Sequence, residues 1–163
     1  MNFRFEKAAM ADAQTLARVS ERAFNSDVNY GAPKAKGGPY GYNDDRFQTR
    51  LMVTAEYYKI VVDDPLRPGG RIVGGIIFRP VAYQHYELIR IFVDPPYQRQ
   101  GAGAQAMAFM ESQHPEVKTW SLGTPKWNTR TPAFYTQCGY VQVGFDKDGI
   151  LFEKRINENL STD

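Results

Sequence analysis

Hydrophobic and polar positions along the chain follow two periods, one typical of strands and one typical of helices. Residues 3–8 alternate apolar and polar side chains, which predicts a short first strand. Residues 9–24 instead place Met10, Leu16 and Val19 at roughly helical spacing. A helix is therefore expected directly after the first strand.

The rest of the chain predicts nine further elements, with strands rich in β-branched and aromatic residues and turns marked by glycine and proline. The predicted helices lie at 43–56, about 103–113 and 129–138, and the predicted strands lie at 57–64, 71–83, 85–94, 119–125, 140–145 and 150–156. The connections include a loop at 25–42, a turn at 65–70 and the turn of a terminal hairpin at 146–149. The order βααβββαβαββ predicts a mixed α/β (α+β) fold. About four helices should flank a mostly antiparallel central sheet of about seven strands.

Length and composition narrow the class of protein. At 163 residues, a single domain over residues 1–163 is expected. The net charge of +2 and the lack of a basic run give no indication of nucleic-acid binding. No apolar stretch approaches the length of a membrane span or a signal peptide, so we expect a cytoplasmic protein without membrane contact. A single cysteine, and no His, Asp and Glu positions at ligand spacing, predict no metal site.

A glycine-containing segment lies between the strand at 85–94 and the helix that follows it. It reads Gln98-Arg99-Gln100-Gly101-Ala102-Gly103. The unpaired N–H groups at a helix start attract anions, glycines allow close approach, and an arginine adds a charge-assisted contact. The segment therefore predicts a phosphate cradle, although a plain strand-to-helix turn would use the same glycines. The segment does not match a Walker loop, because no lysine follows the glycines. It does not match the dinucleotide-binding motif either, because the third glycine is missing.

This segment resembles the acyl-CoA motif Q/R-x-x-G-x-G/A of the GNAT superfamily of N-acetyltransferases, which follows the fourth strand in that family. A second resemblance lies downstream in "WNTRTPAFYTQCGY", where Asn128 precedes a helix that carries Tyr135 and ends at Gly139-Tyr140. Both motifs occur in the family's order and on the expected elements. The resemblance covers nearly the whole chain and implies the GNAT fold, whose sheet is splayed between strands 4 and 5.

The resemblance implies acetyl-CoA as co-substrate. Its pyrophosphate would lie on the N–H groups of Arg99 to Ala104, its pantetheine arm along the strand edge, and its thioester oxygen against the N–H of Phe92 or Val93, which would act as an oxyanion hole. The cofactor-binding residues implied in this way are Ile91, Phe92, Val93, Gln98, Arg99, Gln100, Gly101, Ala102, Gly103, Ala104, Asn128 and Tyr135.

Two residues are candidates for proton transfer. Tyr135 occupies the family's tyrosine position and would protonate the departing thiolate; helix spacing alone favours a packed core aromatic. Glu87 stands where some members carry a catalytic glutamate, and a charged residue inside an apolar strand is costly unless it is paired or functional. A solvated residue on an exposed strand face is the alternative for Glu87.

The acceptor would be a primary amine of a small molecule or peptide, bound where the family varies most, in the loop between the first two helices. Candidate substrate-binding residues are Tyr30, Tyr40, Tyr42 and Trp120, the last of which could equally fill the core. Asp44 and Asp45 could attract a cationic amine or simply begin a helix. A non-catalytic acyl-CoA-binding module is the alternative function, and a homodimer is compatible with the sequence.

Overall fold

In the computed structural model, which describes residues 1–156, seven strands form one sheet. The strands are β1 (Arg4–Lys7), β2 (Glu56–Asp64), β3 (Arg67–Ala82), β4 (His85–Val93), β5 (Thr119–Thr124), β6 (Val141–Phe145) and β7 (Ile150–Arg155). Their order across the sheet is β1-β2-β3-β4-β5-β7-β6. All neighbouring pairs are antiparallel except β4 and β5, which run parallel.

Four α-helices connect these strands within the described residues. They are α1 (Ala13–Asn25), α2 (Asp45–Thr54), α3 (Ala102–Gln113) and α4 (Thr131–Gln137). The element order βααβββαβαββ predicted from the sequence is confirmed, as is the mostly antiparallel sheet of seven strands. Among residues 1–156, no helix combines the length and the apolar character needed to cross a bilayer.

Each face of the sheet is covered by a pair of helices. On one face, Leu16 and Val19 of α1 and Leu51 of α2 pack against Ile77 and Phe92. The opposite face carries the larger core, in which α3 and α4 contribute side chains such as Ala106, Met107, Met110 and Tyr135. In α1 and α3, apolar residues spaced three and four apart lie on one face of the helix, and this face is buried against the sheet.

A β-bulge interrupts β4 in the middle of the sheet. Leu88 pairs with Phe78 and Arg90 pairs with Ile77, so that Ile89 is an extra residue in β4. The side chains of β4 consequently change faces at this point, and pairing with β5 ends nearby, at Glu87. Beyond Glu87 the two parallel strands diverge, which is the splay expected between strands 4 and 5.

Two local predictions were wrong. Residues 65–70 do not form one long turn, because β3 begins at Arg67, which pairs with Asp64 and leaves a two-residue connection. An ion pair between Arg71 and Asp64 at 3.1 Å holds this part of the hairpin. Met10 lies outside α1, in a short 3₁₀ turn, and 56% of it is exposed.

Candidate functional site

The divergence of β4 from β5 opens a cleft of about 780 Å³. Its floor is the unpaired side of β4, and the starts of α3 and α4 form its walls. The loop between α1 and α2 closes a third side, where the N–H of Thr129 donates to the carbonyl oxygen of Tyr30 at 2.9 Å. Gly31, with φ of 104°, packs so closely here that a Cβ atom would lie 2.2 Å from the Trp127 oxygen.

The segment before α3 has the geometry of an anion cradle. Arg99 and Gly101 both adopt left-handed backbone conformations, with φ of 63° and 88°. This turn directs the chain into α3 at Ala102, so that the first N–H groups of the helix border the cleft. A Cβ atom at Gly103 would lie 3.0 Å from the ring of Phe134, which explains the glycine there.

Tyr135 brings a phenol to the cleft from α4. Only 6% of the residue is exposed, and its ring packs against Phe134 and Phe152 with centroid distances of 5.1 and 5.9 Å. Burial raises the pKa of Tyr135 above its ordinary value, so the hydroxyl stays protonated at neutral pH. The residue is therefore both a core aromatic and a potential proton donor facing the cleft.

Asp27 places a buried carboxylate in the same cleft. It lies in the 3₁₀ turn Ser26–Tyr30 after α1, and 8% of it is exposed. Burial raises the pKa of Asp27, and the charge of Arg130 partly opposes that effect. The Arg130 guanidinium lies 3.3 Å from the carboxylate, donates to the Gln98 side chain at 2.9 Å and lies 4.1 Å from the Tyr30 ring centroid.

The electrostatic influence of Asp27 extends to the phenol. Its negative charge is one of the causes that raise the pKa of Tyr135. A carboxylate able to accept a proton and a phenol able to donate one thus border one cleft. Burial raises the pKa of both groups, so the phenol stays protonated while the carboxyl group holds its proton more tightly than an exposed one, as a proton donor and a proton acceptor require.

Asn128 lies at the entry to α4 and is 5% exposed. Its side-chain oxygen accepts hydrogen bonds from the N–H groups of Arg130 and Thr131, at 2.9 and 3.1 Å. The residue therefore fixes the start of α4 and thereby the position of Tyr135 one helical turn later.

Most residues predicted to bind acetyl-CoA line the cleft. They are Ile91, Phe92, Val93, Gln98, Arg99, Gly101, Ala102, Gly103, Ala104, Asn128 and Tyr135, whereas Gln100 is exposed beside the cleft and donates to the carbonyl oxygen of Pro96. The acidic pair at the start of α2 does not border the cleft; Asp44 accepts a hydrogen bond from the Arg46 N–H at 2.8 Å and caps the helix.

Glu87 does not line the cleft. It lies before the point of divergence, opposite Ser121 of β5, and pairs with Arg79 of β3 at 3.2 Å. Its side chain is 36% exposed. A catalytic role for Glu87 therefore stays a prediction, and a paired residue on a strand face agrees with its surroundings.

The four candidate substrate-binding residues do not border the cleft either. Trp120 is fully buried, packed against Phe78 and Tyr86, so the core alternative holds for it. Tyr42 packs against Phe24 and donates to the side chain of Asn25. Tyr40 is 81% exposed, and Tyr30 lies beneath Arg130.

Four charged residues of the cleft were missed by the sequence analysis. They are Asp27, Lys34, Arg90 and Arg130. Signals for two of them existed: Arg90 interrupts an apolar strand, and Asp27 is an acidic residue directly after an amphipathic helix. Their convergence depends on the packing of the α1–α2 loop, which local sequence does not report.

The comparisons with known proteins agree with this geometry. The model of the acetyltransferase (GNAT) family matches residues 31–140, which is more than half of the chain. No curated protein matches the sequence.

Solved structures share the fold at low sequence identity. The PaiA N-acetyltransferase of Thermoplasma acidophilum, in complex with coenzyme A, has a TM-score of 0.78 and 16% identity over 96% of this chain and 100% of that one. An acetyltransferase of Thermus thermophilus has a TM-score of 0.75 and 17% identity, with 96% and 98% covered. The ribosomal-protein-S18-alanine N-acetyltransferase of Escherichia coli has a TM-score of 0.64 and 17% identity, with 99% and 100% covered.

Proposed function

Because the chain belongs to the acetyltransferase (GNAT) family and is an acyltransferase, we propose that it transfers the acetyl group of acetyl-CoA directly to a primary amine. The observation that carries this proposal is the combination found in one cleft. An unpaired strand edge, an anion-ready helix start and a buried phenol all border the same cavity of about 780 Å³. The printed description of the Thermoplasma protein, a complex with coenzyme A, supports the choice of co-substrate.

The residues present fit coenzyme A. Gly101 and Gly103 carry no side chain and their alanine neighbours carry only methyl groups, so the N–H groups at the start of α3 can be approached closely, as a pyrophosphate requires. Residues Ile91 and Val93 lie on the part of β4 that has no β5 partner, where an extended pantetheine arm can add as a strand does.

Chemistry would proceed by direct attack of the neutral amine on the thioester carbon. The N–H of Phe92 or Val93 would stabilise the negative oxygen of the tetrahedral intermediate. The C–S bond then breaks, the amide forms, and Tyr135 donates its proton to the departing thiolate. Cys138 is a poor candidate for an acetyl-cysteine route, because burial raises the pKa of its thiol.

The amine must lose a proton before or during attack, and two carboxylates are candidates for accepting it. Asp27 borders the cleft with a raised pKa, while Glu87 pairs with Arg79 outside it. We infer that Asp27 is the general base. Variants of Asp27 and of Glu87, measured side by side, distinguish the two candidates.

Release of the free CoA thiol tests the proposed activity. Purified protein is incubated with acetyl-CoA and a panel of amines that includes polyamines, free amino acids, amino-acid amides and peptides. We expect amine-dependent thiol release and an acetylated product detected by mass. Tight binding of acetyl-CoA with no turnover on any amine would instead support the non-catalytic acyl-CoA-binding module.

The cradle before α3 is tested by Gly101→Asp. Aspartate is among the few residues that tolerate left-handed backbone, so the fold should survive, while its charge would repel the pyrophosphate. We expect acetyl-CoA to bind about tenfold more weakly or worse, as for a lost charge-assisted contact. The measurement is the thermal shift on titration with acetyl-CoA.

Gly69→Asp is the matched control for this variant. Gly69 has φ of 85° and open space around it in the β2–β3 hairpin, so the same substitution imposes similar backbone strain. Its acetyl-CoA shift should equal that of the parent protein. A full shift in Gly101→Asp would show that the cofactor phosphates bind elsewhere.

A further inference from the structure

Arg90 lies on the bulged part of β4 and is one of the residues that line the cleft. It pairs with Ile77 of β3 across the bulge and lies on the part of β4 beyond Glu87 that has no β5 partner. The guanidinium reaches the α1–α2 loop, where Nη2 donates to the carbonyl oxygen of Tyr40 at 2.5 Å. It also lies over the ring of Phe47, 5.0 Å from the centroid. These contacts hold the head group in a fixed orientation.

The guanidinium is not fully satisfied. Nη1 of Arg90 is buried and has no hydrogen-bond partner among residues 1–156, and no ion pair within that part of the chain includes this arginine. By contrast, Arg22 and Arg130 near the cleft both pair with carboxylates, Asp94 and Asp27. Leaving a buried cation without an anion is costly, and such groups are usually paired or functional.

The electrostatic surroundings of Arg90 also indicate a buried cation without an anionic partner among the described residues. Burial lowers the pKa of Arg90, and Tyr57 is the group that opposes the effect. The side chain stays charged at neutral pH all the same, because a guanidinium does not lose its proton there. A planar cation with a free, desolvated N–H is complementary to a carboxylate.

The phosphates of coenzyme A are not suited to this position. The anion cradle begins at Arg99, nine residues after Arg90 and beyond the end of β4. From Arg90 to Val93 the strand alone spans about 10 Å. Arg90 therefore lies towards the thioester end of the proposed cofactor path, where the acceptor must also bind.

We propose that Arg90 binds the carboxylate of the acceptor, and that the acceptor is a small amine bearing a carboxylate, such as a free amino acid. This deepens the proposed function and rests on it. Asp27, which also pairs with Arg130 at 3.3 Å, is the carboxylate of the same cleft that can receive the ammonium end of such a molecule. A polyamine, which has only positive charges, would be repelled by Arg90, whereas a zwitterion satisfies both groups.

Matched pairs of ligands test the proposal. Free amino acids with acidic, basic, aliphatic, aromatic and small side chains are each compared with their carboxamides, by calorimetric titration of the protein saturated with CoA. For the preferred side chain, we expect the acid to bind about 10–100-fold more tightly than the carboxamide. Arg90→Gln should abolish this preference, and Arg90→Lys should retain part of it.

Arg50→Gln is the matched control, since Arg50 also approaches the Phe47 ring, at 5.8 Å, but is exposed and does not line the cleft. It should keep the full preference. Equal binding of acid and carboxamide by the parent protein, failure to bind any of the acids, or a preference that survives in Arg90→Gln would overturn the proposal.

The same ligands separate this inference from the proposed function. Thiol release as fast with carboxamides as with acids would leave acetyl transfer intact and overturn the role of Arg90. Arginine-dependent binding of acids without thiol release would support the carboxylate site and contradict the proposed transferase activity.

Discussion

Asp27→Asn is expected to lower kcat/KM by about 10²–10⁴-fold, the usual effect of removing a general base. Asparagine keeps the shape of the side chain and cannot accept the proton of the amine. The parallel variant Glu87→Gln should leave kcat/KM nearly unchanged, because Glu87 pairs with Arg79 outside the cleft. Both are measured by thiol release with the preferred amine. A large loss in Glu87→Gln with normal activity in Asp27→Asn would reverse the assignment.

The pH profile gives a second test of Asp27. A base acts only when deprotonated, so kcat/KM must rise with pH through the pKa of Asp27. Burial raises that pKa, so the acid limb of the pH–rate profile should lie at higher pH than about 3.9, the ordinary pKa of an aspartate carboxyl group. In Asp27→Asn this limb should disappear, whereas Glu87→Gln should retain it.

Stability separates a catalytic from a structural role for Asp27. Because folding raises its pKa, the folded protein binds the proton more tightly than the unfolded chain. The contribution of this group to the free energy of unfolding is therefore present at low pH and falls as pH rises through the shifted pKa. At neutral pH, the melting temperature of Asp27→Asn should be equal to or above that of the parent protein. A marked decrease would indicate that the Arg130 ion pair mainly holds the fold.

The order of helices and strands could be predicted because each element carries its own periodicity. Leu16 and Val19 lie on one stripe of α1, and Gly139, with φ of 94°, follows the last turn of α4 as a glycine C-cap should. The start of β3 was missed because a proline and two glycines after Arg67 resemble a turn. Its actual boundary depends on pairing with Asp64 across the hairpin, which is a contact between strands.

The cleft was only partly predictable for a related physical reason. Motif residues such as Gly101 and Tyr135 lie on elements whose position follows from the fold, and they line the cleft as expected. Strict alternation along β4 fails at Ile89, because the bulge lets Leu88 and Ile91 share one face although they are three residues apart. Arg90 therefore could not be assigned a face from the sequence alone.

Tyr135→Phe is expected to lower kcat by about tenfold or more while leaving the dissociation constant of acetyl-CoA little changed. The hydroxyl proton matters most as charge develops on the departing sulfur, so its removal affects the transition state more than the bound ground state. The ring keeps its contacts with Phe134 and Phe152, and the fold should be retained. The measurements are single-turnover rates and an acetyl-CoA binding titration.

Tyr140→Phe is the matched control for the loss of a buried phenol hydroxyl. Tyr140 is also buried, but its hydroxyl donates to Glu111 at 3.2 Å and the residue does not line the cleft. This variant should lose roughly 1 kcal/mol of stability with the hydrogen bond and keep its kcat. Because burial raises the pKa of Tyr135, the phenol does not titrate near neutral pH, so Tyr135→Phe should lower the whole pH–rate profile without changing its shape. Parental single-turnover rates in Tyr135→Phe would leave this residue a packing role only, and the thiolate would then have to be protonated by another group or leave unprotonated.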